Sequence, residues 1–196
     1  MRSKGFLGLL IVLLIVGFAG CAGCGTYNGL VSSQEGVSQA WADVESTYQR
    51  RADLIPNLVA TVRGAAEFEQ ETLESVTNAR ARATSINIDA AGLDDPAQIQ
   101  AYAEAQRELG GALGRLLAVA ENYPQLQATQ AFRDLQVQLE GTENRINVAR
   151  SRYNDAVRAY NTQTRQFPGN LIPGFSPKTP FQADAGAERA PQVNFD

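Results

Sequence analysis

The stretch RRADLIPNLV, running from Arg50 to Val59, decides how this chain divides into helices, because it sets Pro56 between segments that both carry helical spacing. A proline inside a helix removes one hydrogen bond and clashes with the preceding turn, at a cost of roughly 3 kcal/mol. The cost disappears if the proline falls in the first turn of a new helix, where its missing N–H has no partner to lose. Asp53 is a good N-cap residue, three positions before Pro56. On that reading Arg50, Arg51 and Ala52 form a tight connection and a helix begins at Leu54. The rival reading keeps Pro56 as a kink within one very long helix.

Apolar residues recur at steps of three and four in four segments, the pattern of helices packed along a seam. The first carries Leu30, Gln34, Val37, Trp41, Val44 and Tyr48. The second, after Asp53, carries Ile55, Leu58, Val62, Ala65, Glu69, Leu73, Val76 and Ala83. Gly, Asp and Pro then interrupt the pattern, so residues 86–96 read as a loop. The third carries Ile99, Tyr102, Gln106, Leu109, Leu113, Leu116 and Ala120. The fourth, after Pro124, runs from Phe132 to Tyr160 through Leu135, Leu139, Thr142, Ile146, Ala149 and Tyr153. Asn122 is placed to cap it, with Pro124 in its first turn. No stretch alternates convincingly with period two. The expected fold is all-α, an up-and-down four-helix bundle over residues 26–167.

Ahead of the bundle lies an apolar run from Gly5 to Gly25, 21 residues without a charge, preceded by Arg2 and Lys4. As a helix it would be about 30 Å long, enough to span a bilayer. The two positive charges place the N-terminus in the cytoplasm and the rest outside. Residues 1–25 are thus expected to be a membrane anchor. A lipoprotein-type signal is the alternative, since Ala19-Gly20-Cys21 has the form of a cleavage and acylation site, with Cys24 close by. Gly20, Gly23, Gly25 and Gly29 would give a pliable stalk. From Pro168 helical signals stop, and residues 168–196 hold five of the 8 prolines and read as an extended tail. Of its phenylalanines, Phe175 is expected to dock on the bundle, with Phe181 and Phe195 left open.

Composition narrows function. Histidine is absent from the 196 residues, which removes the commonest general base and metal ligand. A net charge of −4 with mixed signs argues against nucleic acid. Glu67, Glu69, Glu71 and Glu74 cluster, but carboxylate-bridged metal pairs in bundles use Glu-x-x-His motifs, so no metal or cofactor is expected. Glu143, Asn144 and Arg150 in TENRINVAR form the sharpest polar group. Glu143 and Arg150, seven residues apart, share a stripe beside the seam and read as an interhelical ion-pair network. Arg50 and Arg51 are expected at the membrane-distal turn beside Glu121 and Tyr123. Three Tyr-Asn pairs, Tyr27-Asn28, Tyr153-Asn154 and Tyr160-Asn161, fall toward the membrane end.

These residues carry a resemblance. TYNGLV after the apolar run, AWADVESTYQRRADLIPNLVATVRG, NAR at 78–80, ENYPQLQA, LQVQLEGTENRINVARSRYNDAV and YNTQTRQFP together resemble the LemA family of bacterial membrane-anchored proteins, over about residues 26–168. The resemblance implies a four-helix bundle behind an N-terminal anchor and no defined enzymatic activity, with envelope proteins such as membrane proteases or quality-control systems as suspected neighbours. Arg50, Arg51, Asp53, Pro56, Asn57, Tyr123 and Pro124 fall within these stretches and are structural or interaction candidates, with Glu143, Asn144, Arg150, Tyr153 and Asn154. The expectation for function is protein–protein contact in the cell envelope without catalysis. The alternative is a periplasmic module that binds a small ligand in the bundle core.

Overall fold

A computed structural model describes residues 2–64 and 69–182, and within 2–22 it describes the side chains of Leu10, Leu13 and Leu14 alone. The described residues form helices joined by turns and an extended C-terminal strap, with no strand among them. Five helices follow in order: α1 (Arg2–Arg63), α2 (Gln70–Ser85), α3 (Pro96–Ala120), the single turn α4 (Pro124–Gln127) and α5 (Gln130–Arg165).

Pro56 does not start a helix. It lies inside α1, which continues unbroken through Arg50, Arg51, Ala52 and Asp53 to Arg63. The expected cap at Asp53 and connection at 50–52 are therefore corrected. Asp53 instead accepts a hydrogen bond from Gln49 within the helix (2.8 Å). The physical reason lies in another helix. A helical proline leaves the carbonyl four residues back without its N–H partner, and here that carbonyl belongs to Ala52. Arg80 of α2 supplies the missing donor, its Nε bonding to the Ala52 oxygen at 2.8 Å. The helix breaks after Arg63 instead, at Gly64, so the segment read as one helix from Ile55 to Ala83 is divided between α1 and α2. The expected pliable stalk is also corrected: Gly23, Gly25 and Gly29 are helical residues of α1.

The other helix starts show ordinary capping. Asp95 accepts from the Ala97 N–H (2.8 Å), with Pro96 in the first turn of α3. Pro124 does open a helix, α4, but Tyr123 and not Asn122 stands at its N-cap position. A second cap, Thr129, then starts α5 by accepting from the Phe132 N–H. α5 runs its full length to Arg165.

α1 and α5 run antiparallel, as do α2 and α3. Ser33 meets Gln163 and Arg51 meets Glu143 between α1 and α5, while Arg82 meets Glu108 and Arg115 meets Ser75 between α2 and α3. Two apolar clusters fill the interior. In the half beyond residue 51, Leu58 and Val62, Val76 and Ala79, Leu109 and Leu116, and Phe132 and Leu139 pack together from α1, α2, α3 and α5. In the other half α2 has ended, and the loop residues Ile88 and Leu93 with Phe181 of the strap take its place beside Trp41, Tyr102, Tyr153 and Tyr160. The α5 backbone lies closest to α1 and the α3 backbone closest to α2, whereas the α3 and α5 backbones stand further apart. A groove opens between them.

Among the described residues no helix is long and apolar enough to cross a membrane. Most side chains of the Gly5–Gly25 run, Cys21 included, lie outside the described set; Cys24 is an exposed free thiol.

Candidate functional site

Polar side chains converge along one flank of α5, at three levels. The highest is built on Arg51, which is 4% exposed. Its Nη1 donates to Glu143 (3.0 Å), and its Nη2 donates to both the backbone and side-chain oxygens of Gln106 (2.8 and 2.9 Å). Gln106 in turn donates to the Ala83 carbonyl (3.3 Å), so the guanidinium ties α1 to α3, α5 and the end of α2. The Tyr48 ring lies 5.0 Å from the Arg51 guanidinium carbon, a favourable cation–π distance. Glu143 keeps half its side chain in solvent, with 52% exposed.

This arrangement changes one expected pairing. Arg51 pairs with Glu143 instead of Glu121, because α1 runs on past it and leaves it in the interior rather than at a turn. Glu143 thereby has a partner on another helix, as the network reading expected, whereas Arg150 contacts the strap. Arg50 is exposed. So are Asn57 and Asn144, with the Asn57 carbonyl accepting from Thr61.

The two lower levels hold the strap, the extended run from Phe175 to Gln182. Asn161 accepts from the Lys178 N–H and donates to the Lys178 carbonyl, both at 2.8 Å. One heptad up, Asn154 does the same for Phe181, at 2.8 and 3.0 Å. Each carboxamide thus satisfies both main-chain groups of one strap residue, as a neighbouring strand would. Between them the Tyr153 hydroxyl donates to the Thr179 carbonyl (2.9 Å), and the Thr179 N–H donates to the Leu93 carbonyl (2.9 Å). Burial and the nearby Asp94 carboxylate hold the Tyr153 hydroxyl above its ordinary pKa, so it remains a donor.

Side chains fix the register. Lys178, 8% exposed, ion-pairs with Asp94 and donates to the Ala90 carbonyl. Phe181 stacks on Trp41 (5.7 Å between centroids) and meets Tyr153 edge-on (5.4 Å). Arg150 covers its outer side, 5.0 Å from the ring, and donates to the Gln182 carbonyl at 3.3 Å. Phe175 docks as expected, half-buried and edge-on to Tyr27 (5.6 Å). Phe195 lies outside the described residues.

Above Arg150 the groove between α3 and α5 has a volume of about 480 Å³. Leu113, Leu117 and Leu139 line its apolar part, and Gly110, Gly111 and Gly114 form its α3 wall. Added Cβ atoms at Gly111 and Gly114 would meet nothing within 4 Å, so these glycines leave the wall low without being sterically required.

Of the remaining sequence candidates, Tyr123 packs half-buried against the upper core cluster. Glu67 lies outside the described residues, and no group of three acidic, cysteine or histidine side chains that could hold a metal occurs among those described. Sequence reading missed Arg80, Asn154 as a strap clamp, and Lys178. The signal for Arg80 was available, since any helical proline orphans a carbonyl that some donor must satisfy.

A long-helix domain whose inward polar side chains fasten its own helices and strap is the class these features define. The LemA family model matches residues 40–195, and the chain belongs to the LemA family. It is 28% identical over 175 residues to magnetosome protein MamQ 2 of Paramagnetospirillum magneticum, covering 80% of this chain and 64% of that protein. It is 26% identical over 170 residues to magnetosome protein MamQ of Magnetospirillum gryphiswaldense, covering 76% and 62%. Protein LemA of Metamycoplasma hominis is 22% identical over 167 residues, covering 85% and 72%. The chain thus spans under two thirds of the length of the magnetosome relatives.

Proposed function

We propose that this protein is a four-helix bundle tethered to a bacterial membrane by residues 1–25, with the bundle on the outer side, acting by protein–protein contact in the cell envelope. The observation that carries the reading is an apolar collar at the end of the domain nearest the Gly5–Gly25 run. Phe167 and Leu171 are 79% and 69% exposed, and Tyr27 and Val31 on α1 are exposed too. The turn Gly169–Leu171 packs on α1 near Leu30, which brings the two sets to the same end of the domain. Apolar and tyrosine side chains grouped there suit a lipid interface. Likeness to proteins named LemA and to magnetosome proteins supports membrane association.

Contact rather than chemistry is supported by where the inward polar groups bond. The buried Arg51 and Gln106 and the half-buried Asn154 and Asn161 all bond within the chain. The test is cell fractionation with protease access from outside, followed by cross-linking in membranes and mass spectrometry of captured proteins. A parent protein found in the soluble fraction would overturn the tether. Binding of a small ligand is the second reading, favoured by the 480 Å³ groove. It requires that an apolar fragment bind there and raise the melting temperature, with Gly114→Leu abolishing the effect.

A further inference from the structure

A polar pocket of about 270 Å³ lies between α1, the end of α2 with the loop after it, and α3. Among the described residues Glu45 is the single charged side chain on its wall, half-buried and without an ion pair. Its one polar contact is with the Trp41 indole, whose Nε1 is itself buried without a well-formed hydrogen bond. Burial raises the Glu45 pKa, so the carboxylate sits where its charge is disfavoured and no cation offsets it.

The rest of the wall is electronegative as well. The C-terminal turn of α2 borders the pocket through Ala83, Thr84 and Ile86, and the last carbonyls of a helix carry its negative partial charge. Of these carbonyls Ala83 is already taken by Gln106. The Asn87 carboxamide offers a further oxygen, and the rings of Tyr48 and Tyr102, edge-on at 5.5 Å, supply an aromatic wall. Two cations stand behind the walls without lining the pocket. Arg51, which also covers the Tyr48 ring, is bonded to Gln106 and Glu143, and Arg80 is bonded to the Ala52 carbonyl.

We propose that this pocket binds a small primary alkylammonium, its nitrogen against Glu45 and the carbonyl end of α2, and its alkyl part against Tyr48 and Tyr102. The three N–H donors of such a group match a carboxylate, a helix-end carbonyl and a carboxamide oxygen. The pocket is several times the ~30 Å³ share of one water, which leaves room for a chain of a few carbons. This site is separate from the groove between α3 and α5, since α5 lends it no residue.

Melting the full-length protein in a neutral detergent against ethylammonium chloride at pH 7 tests this, with NaCl holding the ionic strength constant. Each variant is read against its own melt without ethylammonium. The melting temperature should rise saturably, by about 3–6 °C at ten times the half-saturating concentration. Glu45→Gln keeps the shape and removes the charge, and should weaken binding at least about tenfold. Asp43→Asn, at an exposed carboxylate of the same helix, should leave binding within about twofold. Tetramethylammonium, a cation without N–H donors, should bind at least about tenfold more weakly than ethylammonium. Absence of a saturable shift overturns the proposal, as does a shift that survives Glu45→Gln. Equal binding of tetramethylammonium also overturns it, since the rings and not the carboxylate would then be the site.

Discussion

Arg80 donates from Nε to the carbonyl of Ala52, the one carbonyl of α1 that Pro56 deprives of its helical partner. A defect in one helix is thereby satisfied by a side chain of the next, and the two residues are energetically coupled. Arg80→Ala should cost about 1–3 kcal/mol, because it leaves the carbonyl of the buried Ala52 unsatisfied. Pro56→Ala restores an N–H and removes a ring clash, so it should stabilise the domain by about 1 kcal/mol or more. In the double variant the Arg80 penalty should shrink, since the new N–H serves the same oxygen. Urea denaturation of the four proteins in a double-mutant cycle checks this, and strictly additive effects would refute the coupling.

Arg51 and Glu143 should respond unequally. Removing Arg51 deletes bonds to α3 and α5 from a buried site, so Arg51→Ala should cost roughly 3 kcal/mol or more. Glu143 is half in water, and Arg51 retains Gln106 without it, so Glu143→Gln should cost about 1 kcal/mol. Thermal melts of both variants give the comparison. Equal losses would mean that Gln106 contributes little.

The strap can be followed optically. Trp41 is the single tryptophan of the chain, and Phe181 stacks on it. Asn154→Ala removes both main-chain bonds to Phe181 and should cost about 1–3 kcal/mol while shifting Trp41 emission to the red. Arg150→Ala removes a ring contact and one long hydrogen bond, and should cost about 1 kcal/mol. Emission spectra read against the melts distinguish strap release from general loosening.

Burial pushes the Glu45 carboxyl above its ordinary pKa, partly offset by its contact with Trp41. For an acid whose folded pKa is raised, ionisation opposes folding. The stability this group favours is fully present below its unfolded pKa of about 4.5, and is lost as pH rises through the folded value. Glu45→Gln should therefore raise the melting temperature at pH 7 and have little effect near pH 4. A gain that is independent of pH would mean that packing, not charge, is responsible.

The seam positions were legible from spacing alone: Val37, Trp41, Val44 and Tyr48, then Leu109, Leu113 and Leu116, then Ile146, Ala149 and Tyr153 are all buried. Periodicity reports which face is inward. It is blind to where a helix stops when the compensating group lies elsewhere, as Arg80 does for Pro56. Capping logic favoured a break at Asp53 because it weighs only local donors. The strap was legible only as a proline-rich extension, since its fastening depends on carboxamides of α5 and not on any pattern of its own. Arg51 was recognised as notable but given the wrong partner, an error inherited from the misplaced turn.

The continuity of α1 sets a mechanical scale. From Gly25 to Arg63 the helix has no break, and 38 steps of ~1.5 Å amount to a strut of about 57 Å. Arg80 braces this strut at the single point where its own bonding is interrupted. A tilt or rotation of the residues before Gly25 is accordingly delivered, without a hinge, to the far turn. The apolar run and the far turn then move as the two ends of one lever, with α5 and the strap strapped along its length.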